Sequence, residues 1–396
     1  MDEFSFIDKL LKPLTKDCDE SLGLNDDVAK INNNQFNDSD IIISKDLLSS
    51  NVHFRITDGA KNIARKILAA NLSDLASSGA IPKYYLLGIA RNSNIDDNFW
   101  QEFTAELAKI QKEYRISLIG GDTINYKSED DNLLFSVTVI GKVLQNSNLQ
   151  RNKAKNGDLI WVSGNIGDAF LGLNIINSSF NIKGSYNNFI AESYSENQVK
   201  QGNNKISKKN QLFYDKKSLT SAYYRPQPQL LLGQELVNHN LSCAASDISD
   251  GLLQDLNNIA KSSNLIAKIF LDKIPLSRAS KRFIENFIIY SNKYQQRNGL
   301  KQYLGKSNKI INDKIIEDLI TAGDDYQLIF TSDPIHKAEI EMVAKKIKVK
   351  LTNIGEMINL YDKKLTIKDK KQNNLLLLNN NKELKPIKIT KIGYEH

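Results

Sequence analysis

The feature that most constrains this chain is an alternation of strand and helix patterns that runs out and then begins again. Residues 41–44 read as a strand, 59–78 as a helix and 84–90 as a strand; a helix over 97–113 carries Phe99, Phe103, Leu107 and Ile110 at helical spacing, and strands follow at 117–119 and 133–143. A polar stretch over 145–156 separates this unit from the apolar strand 159–163, which opens a second one. Single cores rarely grow beyond a few hundred residues, so 396 residues are better divided between two. The sequence therefore predicts an α+β fold with an amino-terminal α/β domain over 1–150, a carboxy-terminal α+β domain over 151–362, and a lysine-rich tail over 363–396.

In the second unit the patterns predict helices near 168–176, 227–238 and 251–262 and strands near 243–246, 266–271 and 326–331. Two polar segments, near 178–220 and 290–310, show no stable apolar period and read as insertions or loops. No tandem repeat is visible.

Apolar residues at 41% and charged residues at 25% are ordinary for a folded chain. The beginning, Met1-Asp-Glu-Phe-Ser, is acidic where a secretion signal is basic, and no apolar run approaches the roughly 20 residues of a membrane span. A cytoplasmic protein without a membrane partner is expected. Cys18 and Cys243 are too few and too far apart for a disulfide framework or a cysteine metal site. The net charge of +7 suits a phosphorylated ligand; much of the excess lies in lysine-rich stretches, 200–217 and 363–371, without the regular aromatics of a nucleic-acid surface, so no nucleic-acid partner is expected.

Aspartates recur at predicted strand ends and turns: Asp26-Asp27, Asp46, Asp74, Gly120-Gly121-Asp122, Asp247, Asp250-Gly251 and Gly323-Asp324-Asp325. Each alone reads as a helix cap or a turn. Several carboxylates converging on one crevice repel one another unless a cation compensates them, and the cation that also bridges nucleotide phosphates is Mg2+. Neither Gly-x-x-x-x-Gly-Lys-[Ser/Thr] nor Gly-x-Gly-x-x-Gly is present, so phosphates must be held by other means. Arg151, close to the predicted domain junction, offers a planar guanidinium.

Five segments, in this order and spacing, resemble the thiamine-monophosphate kinases: Asn51-Val52-His53-Phe54, Asn71-Leu72-Ser73-Asp74-Leu75-Ala76, Ile119-Gly120-Gly121-Asp122-Thr123, Asp247-Ile248-Ser249-Asp250-Gly251-Leu252 and Gly323-Asp324-Asp325-Tyr326. That family is similar to aminoimidazole ribonucleotide synthetase, selenophosphate synthetase and a hydrogenase maturation factor. The resemblance runs from about Asp26 to Gly355 and implies a two-domain aminoimidazole ribonucleotide synthetase-like fold whose amino-terminal domain pairs with its copy in a homodimer.

It also implies ATP as co-substrate, thiamine monophosphate as acceptor and several Mg2+ ions. By motif, Asp27, Ser44, Lys45 (through its backbone only), Asp46, Asp74, Asp122, Asp247 and Asp250 are the implied metal residues. Gly121, Asp122, Arg151 and Ser249 are the implied ATP contacts, and His53, Asp324 and Tyr394 the implied acceptor contacts. The implied reaction is direct in-line transfer of the γ-phosphoryl group, with no covalent nucleophile on the protein. Three positions depart from the family pattern: Asn25 replaces a glycine, Lys45 a threonine and Asp324 a glutamate. The alternatives are a related ATP-dependent enzyme with another acceptor, or a decayed nucleotide-binding relative.

Overall fold

A computed structural model describes residues 2–25, 28–31, 33–126, 132–179, 186–194, 203–297, 306–359 and 374–378. After a short helix α1 (Glu3–Phe6), strands β1 (Ser39–Ser49), β2 (Ile81–Asn92), β3 (Ser117–Tyr126) and β4 (Leu134–Leu144) form a sheet in the order β1-β4-β2-β3. β4 runs antiparallel to both β1 and β2, and β2 pairs with β3 in parallel. Helices α2 (Ala60–Ser77) and α3 (Asp97–Tyr114) contribute to the core on its inner face. Asp96 caps α3 by accepting from the Phe99 amide at 2.8 Å, and Arg115 closes it in the left-handed region. Trp100, Phe103, Phe135 and Tyr85 fill this core, with Phe103 and Phe135 stacked at 5.1 Å.

Strand alternation decides the rest of this sheet. On β1, Ile42, Ser44, Asp46 and Leu48 turn inward, whereas Ile41, Ile43, Lys45 and Leu47 stand exposed on the outer face. Ile81, Ile124, Leu134 and Leu144 add further exposed apolar side chains to this sheet.

The second sheet has the order β10-β7-β9-β5-β8-β6, built from β5 (Leu159–Ser163), β6 (Ala244–Ile248), β7 (Leu265–Phe270), β8 (Gln327–Ser332), β9 (Leu351–Asn359) and β10 (Leu375–Leu378). Its neighbours are antiparallel except β10 and β7. Helix α8 (Leu252–Ser262) fills one core against it, and α7 (Leu230–Asn238) with α11 (Lys337–Ile347) fills another around Trp161 and Phe330.

Helix α2 is buried on almost every side. It packs on α3 and β4 in one direction and on α7, β6 and β8 in the other. Contact with α7 is so close that a Cβ on Gly233 would lie 2.1 Å from the Ala76 carbonyl oxygen. α2 is thus the beam shared by the two halves, and its side chains have a fixed address between them.

The polar segments differ from the sequence expectation. Where loops are predicted near 178–220 and 290–310, the chain forms α5 (Asn187–Tyr194), α6 (Asn203–Tyr224) and the facing ends of α9 (Arg278–Arg297) and α10 (Lys306–Thr321). With α4 (Asp168–Ser179) these helices enclose a core of their own, including Leu171, Phe189, Leu219, Phe283 and Leu319. Few apolar residues suffice because several are aromatic; Phe189 and Phe283 meet edge-on at 5.1 Å. Within the predicted tail, Leu375–Leu378 is a strand of the second sheet. Among the described residues no helix is long and apolar enough to cross a membrane, and Cys18 and Cys243 are free thiols.

Candidate active site

Where the inner face of the first sheet meets the second half, a cavity of about 930 Å³ opens. β1 sends Asp46 into it, α2 sends Ala70 and Asp74, and the end of β6 with its following turn sends Asp247, Ser249 and Asp250. Three segments far apart in sequence therefore bring four of the predicted carboxylates to a single cavity.

Their electrostatics show the strain of that gathering. Burial, followed by the charge of Asp74, pushes the Asp46 carboxyl up to about 6. Asp74 is also pushed up by burial, against the Ser44 hydroxyl that donates to it and the positive charge of Arg151. Asp247, fully enclosed, is pushed well above the ordinary carboxylate range by burial and then by Asp74.

Asp255 organises the adjacent turn: its Oδ2 accepts the Ser249 and Asp250 amides, each at 3.1 Å. Burial, then the charge of Asp250, raises this carboxyl to about 7. Sequence reading passed over Asp255, which looks like an ordinary polar residue of the first helical turn. Gly251 follows the turn at φ 119°, in the region that favours glycine, and its missing Cβ leaves room for the Thr321 carbonyl.

Oxygen donors alone, several of them anionic, suit a hard divalent cation. Among the described residues no three His, Cys, Asp or Glu side chains form an all-protein cage. Mg2+ has no need of one, because it commonly takes one or two carboxylates and completes its shell with phosphate oxygens and water. Arg151 belongs with these carboxylates. It shares a recess of about 230 Å³ with Ser44 and Asp74, and its Nε donates to Ser246 Oγ at 3.1 Å.

The remaining polar residues of the cavity have different chemistry. His53 sits in the turn after β1, where its Nδ1 accepts the Ser49 amide at 3.2 Å, leaving Nε2 to carry the proton of the neutral ring. Asp324 lines the cavity from the loop before β8 but does not stand alone. It accepts from Lys66 Nζ at 3.0 Å. Lys66 is 2% exposed, and its ammonium also lies 3.6 Å from the centre of the Tyr223 ring. Neither Lys66 nor Tyr223 was singled out in the sequence. The one available signal was spacing: Lys66, Ala70 and Asp74 fall four residues apart and so share a face of α2.

Some predicted residues lie elsewhere. Gly121 and Asp122 sit on β3, the edge strand opposite β1, and the register of Asp122 with Gly88 and Ser136 puts it on the outer face. Three strand spacings of about 4.8 Å place it roughly 14 Å across the sheet from Asp46. Within one chain, therefore, Asp122 does not join the other carboxylates, since motif order says nothing of which sheet edge a strand occupies. Its Oδ1 accepts the neighbouring Thr123 amide at 2.9 Å. The Lys45 side chain is on the outer face too, opposite Ser44 and Asp46, so its ammonium does not compete for a cation there. Asp27 and Tyr394 lie outside the described residues.

Comparison with known proteins agrees with this architecture. Residues 25–143 match the family described as AIR synthase related protein, N-terminal domain. The thiamine-monophosphate kinase of Haemophilus influenzae is 30% identical over 358 residues, covering 90% of this chain and 89% of its own. A crystal structure of thiamine-monophosphate kinase from Stenotrophomonas maltophilia superposes with a TM-score of 0.65 at 28% identity, covering 91% of this chain and 95% of that one. AaThiL complexed with AMPPCP and TMP shares the fold, with a TM-score of 0.59 at 20% identity, over 95% of this chain and 93% of its own. With a cavity lined from four of those five segments, and with identity sustained over nine-tenths of its length, this chain belongs to the thiamine-monophosphate kinase family.

Proposed function

We propose that the protein transfers the γ-phosphoryl group of ATP directly to the phosphate of thiamine monophosphate, giving thiamine diphosphate. The observation that carries this reading is one cavity lined by two chemically different groups of side chains. Asp46, Asp74, Asp247 and Asp250 line it as one group, and His53 and Asp324, the latter paired with Lys66, line it as the other. AaThiL, which shares the fold, has been solved complexed with AMPPCP and TMP.

In this reading Asp46, Asp74, Asp247 and Asp250 hold Mg2+, with Ser44, the Lys45 backbone and Asp27 assisting. Bound there, Mg2+ supplies the positive charge that lets two phosphates approach in line. Arg151 and Ser249 hold nucleotide oxygens, and Asp255 keeps the Ser249–Asp250 turn in position. His53 and Asp324 orient the acceptor, with Tyr394 beside its organic part. A phosphate oxygen is already deprotonated near neutrality, so the chain needs neither a strong general base nor a nucleophile of its own.

Gly121 and Asp122 enter through a homodimer. The outer face of the first sheet exposes Ile41, Ile43 and Leu47, and covering it with a second copy removes that apolar surface from water. A two-fold arrangement that sets the β3 edge of one copy beside the β1 edge of the other brings Asp122 to its partner's Ser44–Asp46 strand. ATP and thiamine monophosphate as substrates suit a cytoplasmic enzyme.

The test is mass-spectrometric detection of thiamine diphosphate after incubation with ATP, Mg2+ and thiamine monophosphate, with and without chelator. Chelator-sensitive product is the expected result. ATP turnover only with some other acceptor would reject thiamine monophosphate as the substrate.

A further inference from the structure

The kinase reading leaves a buried lysine without a task. Lys66 lies on the shared helix α2, two turns before Asp74, so the two are about 12 Å apart along the helix axis with Ala70 between them in the cavity wall. At 2% exposure its ammonium is desolvated, which pulls its pKa below the usual lysine range despite Asp324 and Asp58 nearby. Replacing a buried ion pair with apolar side chains of similar volume is often neutral or stabilising, so the fold alone gives little reason for a lysine here.

What the ammonium touches supplies a reason. Asp324 sits in the left-handed region at φ 74°, its amide donating to the Ser249 carbonyl at 2.9 Å. This fixes its backbone to the turn that carries Ser249 and Asp250, while its carboxylate is held by Lys66 at 3.0 Å and by the Tyr326 side chain. The same ammonium lies against the Tyr223 ring, and the Tyr223 hydroxyl donates to the His53 carbonyl at 3.3 Å. One cation thus ties together three parts of the wall: the loop before β8, the end of α6 and the turn of His53.

We propose that Lys66 is a positioning and specificity-determining residue for the acceptor, holding Asp324 and Tyr223 so that this part of the cavity accepts a planar, cationic heteroaromatic group. This inference rests on the kinase reading, with thiamine monophosphate as the acceptor. It makes the shorter Asp324, which replaces a glutamate, part of a built pair whose reach is set from behind by Lys66. Asp324 meets the Ser249–Asp250 turn through its backbone amide, whereas the Lys66 ammonium contacts the Asp324 carboxylate and the Tyr223 ring, so loss of the ammonium is expected to act on acceptor binding more than on the nucleotide.

The test compares Lys66→Met, Asp324→Asn and the double variant, reading Tm and the KM for each substrate. Lys66→Met is expected to lower Tm and raise the KM for thiamine monophosphate about tenfold, with the KM for ATP and kcat within about twofold of the parent. The double variant leaves neither charge unpaired, so it is expected to regain Tm while its acceptor KM stays high. A double variant that regains both would assign Lys66 to folding alone and overturn the proposal, as would Lys66→Met with an unchanged acceptor KM. Absence of turnover in the unaltered protein would instead overturn the kinase reading beneath it.

Discussion

Asp46 and Asp122 stand at opposite edges of one four-stranded sheet and on its opposite faces. Asp46 shares the inner face with Leu48 and the cavity; Asp122 shares the outer face with Gly88 and Ser136. One bound nucleotide cannot engage both carboxylates of a single chain through such a sheet. Two copies related by a two-fold axis remove the difficulty if the outer faces pack together and unlike edges meet.

Intersubunit complementation follows from that geometry. Asp46→Asn and Asp122→Asn are each expected to be inactive alone. Mixed and reassociated one to one, half of the dimers are heterodimers, and each of these holds one site with both aspartates intact. Recovery of about a quarter of parental activity is expected. If both aspartates acted from the same chain, the mixture would stay as inactive as its components, so a turnover assay on the mixture decides between the two.

Asp250→Asn removes one carboxylate charge from the crowded group in the cavity at nearly constant shape. Its amide remains available to Asp255, so the turn is retained. A loss of about 100-fold or more in kcat is expected, with a Tm close to the parent, because preorganised charge at the transferred group commonly contributes on this scale. Parental turnover at limiting Mg2+ would remove Asp250 from the metal set.

Much of this was legible in the sequence, for physical reasons that also mark where legibility ended. Strand and helix periods located β1 to β8, with β1 and β3 read too short and β9 missed, because alternation between a buried and an exposed face leaves a trace in composition. The aspartates at strand ends were visible as a set, and four of them do meet. Helices α5 and α6 were read as loops because Asn and Lys dilute their apolar stripes. Tyr186, Phe189, Ile190 and Tyr194 nevertheless form part of a core. Lys66 was invisible because a lysine is normally a surface residue, and only the fold shows that both sides of α2 are covered.

Lys45→Thr is expected to leave the Mg2+ concentration for half-maximal activity unchanged within about twofold. Alternation on β1 turns the ammonium away from Ser44 and Asp46, and only the backbone of Lys45 runs between them. The substitution instead removes a charge from the apolar outer face beside Ile43 and Leu47. Sedimentation is expected to show a dimer as tight as the parent or tighter. A Mg2+ requirement shifted tenfold by Lys45→Thr would mean that the ammonium reaches the cavity carboxylates after all.

Asp255 supplies a pH test in metal-free protein. Its carboxyl is raised from 3.8 in the unfolded reference to about 7 in the folded chain, chiefly by burial. Between these values the folded state holds a proton that the unfolded state has released. The contribution of Asp255 to stability is therefore fully present below about pH 4, falls as pH rises through 7, and is constant above that. Each pH unit across the window is worth about 1.4 kcal/mol, so the loss is about 4 kcal/mol at most. Asn keeps an oxygen for the Ser249 and Asp250 amides and carries no charge at any pH. The Tm of Asp255→Asn relative to the parent is thus expected to climb from pH 5 to pH 8, measured by calorimetry in chelator. A difference independent of pH would mean that the carboxylate is compensated in the folded chain, and that Asp255 holds the turn as an ion throughout.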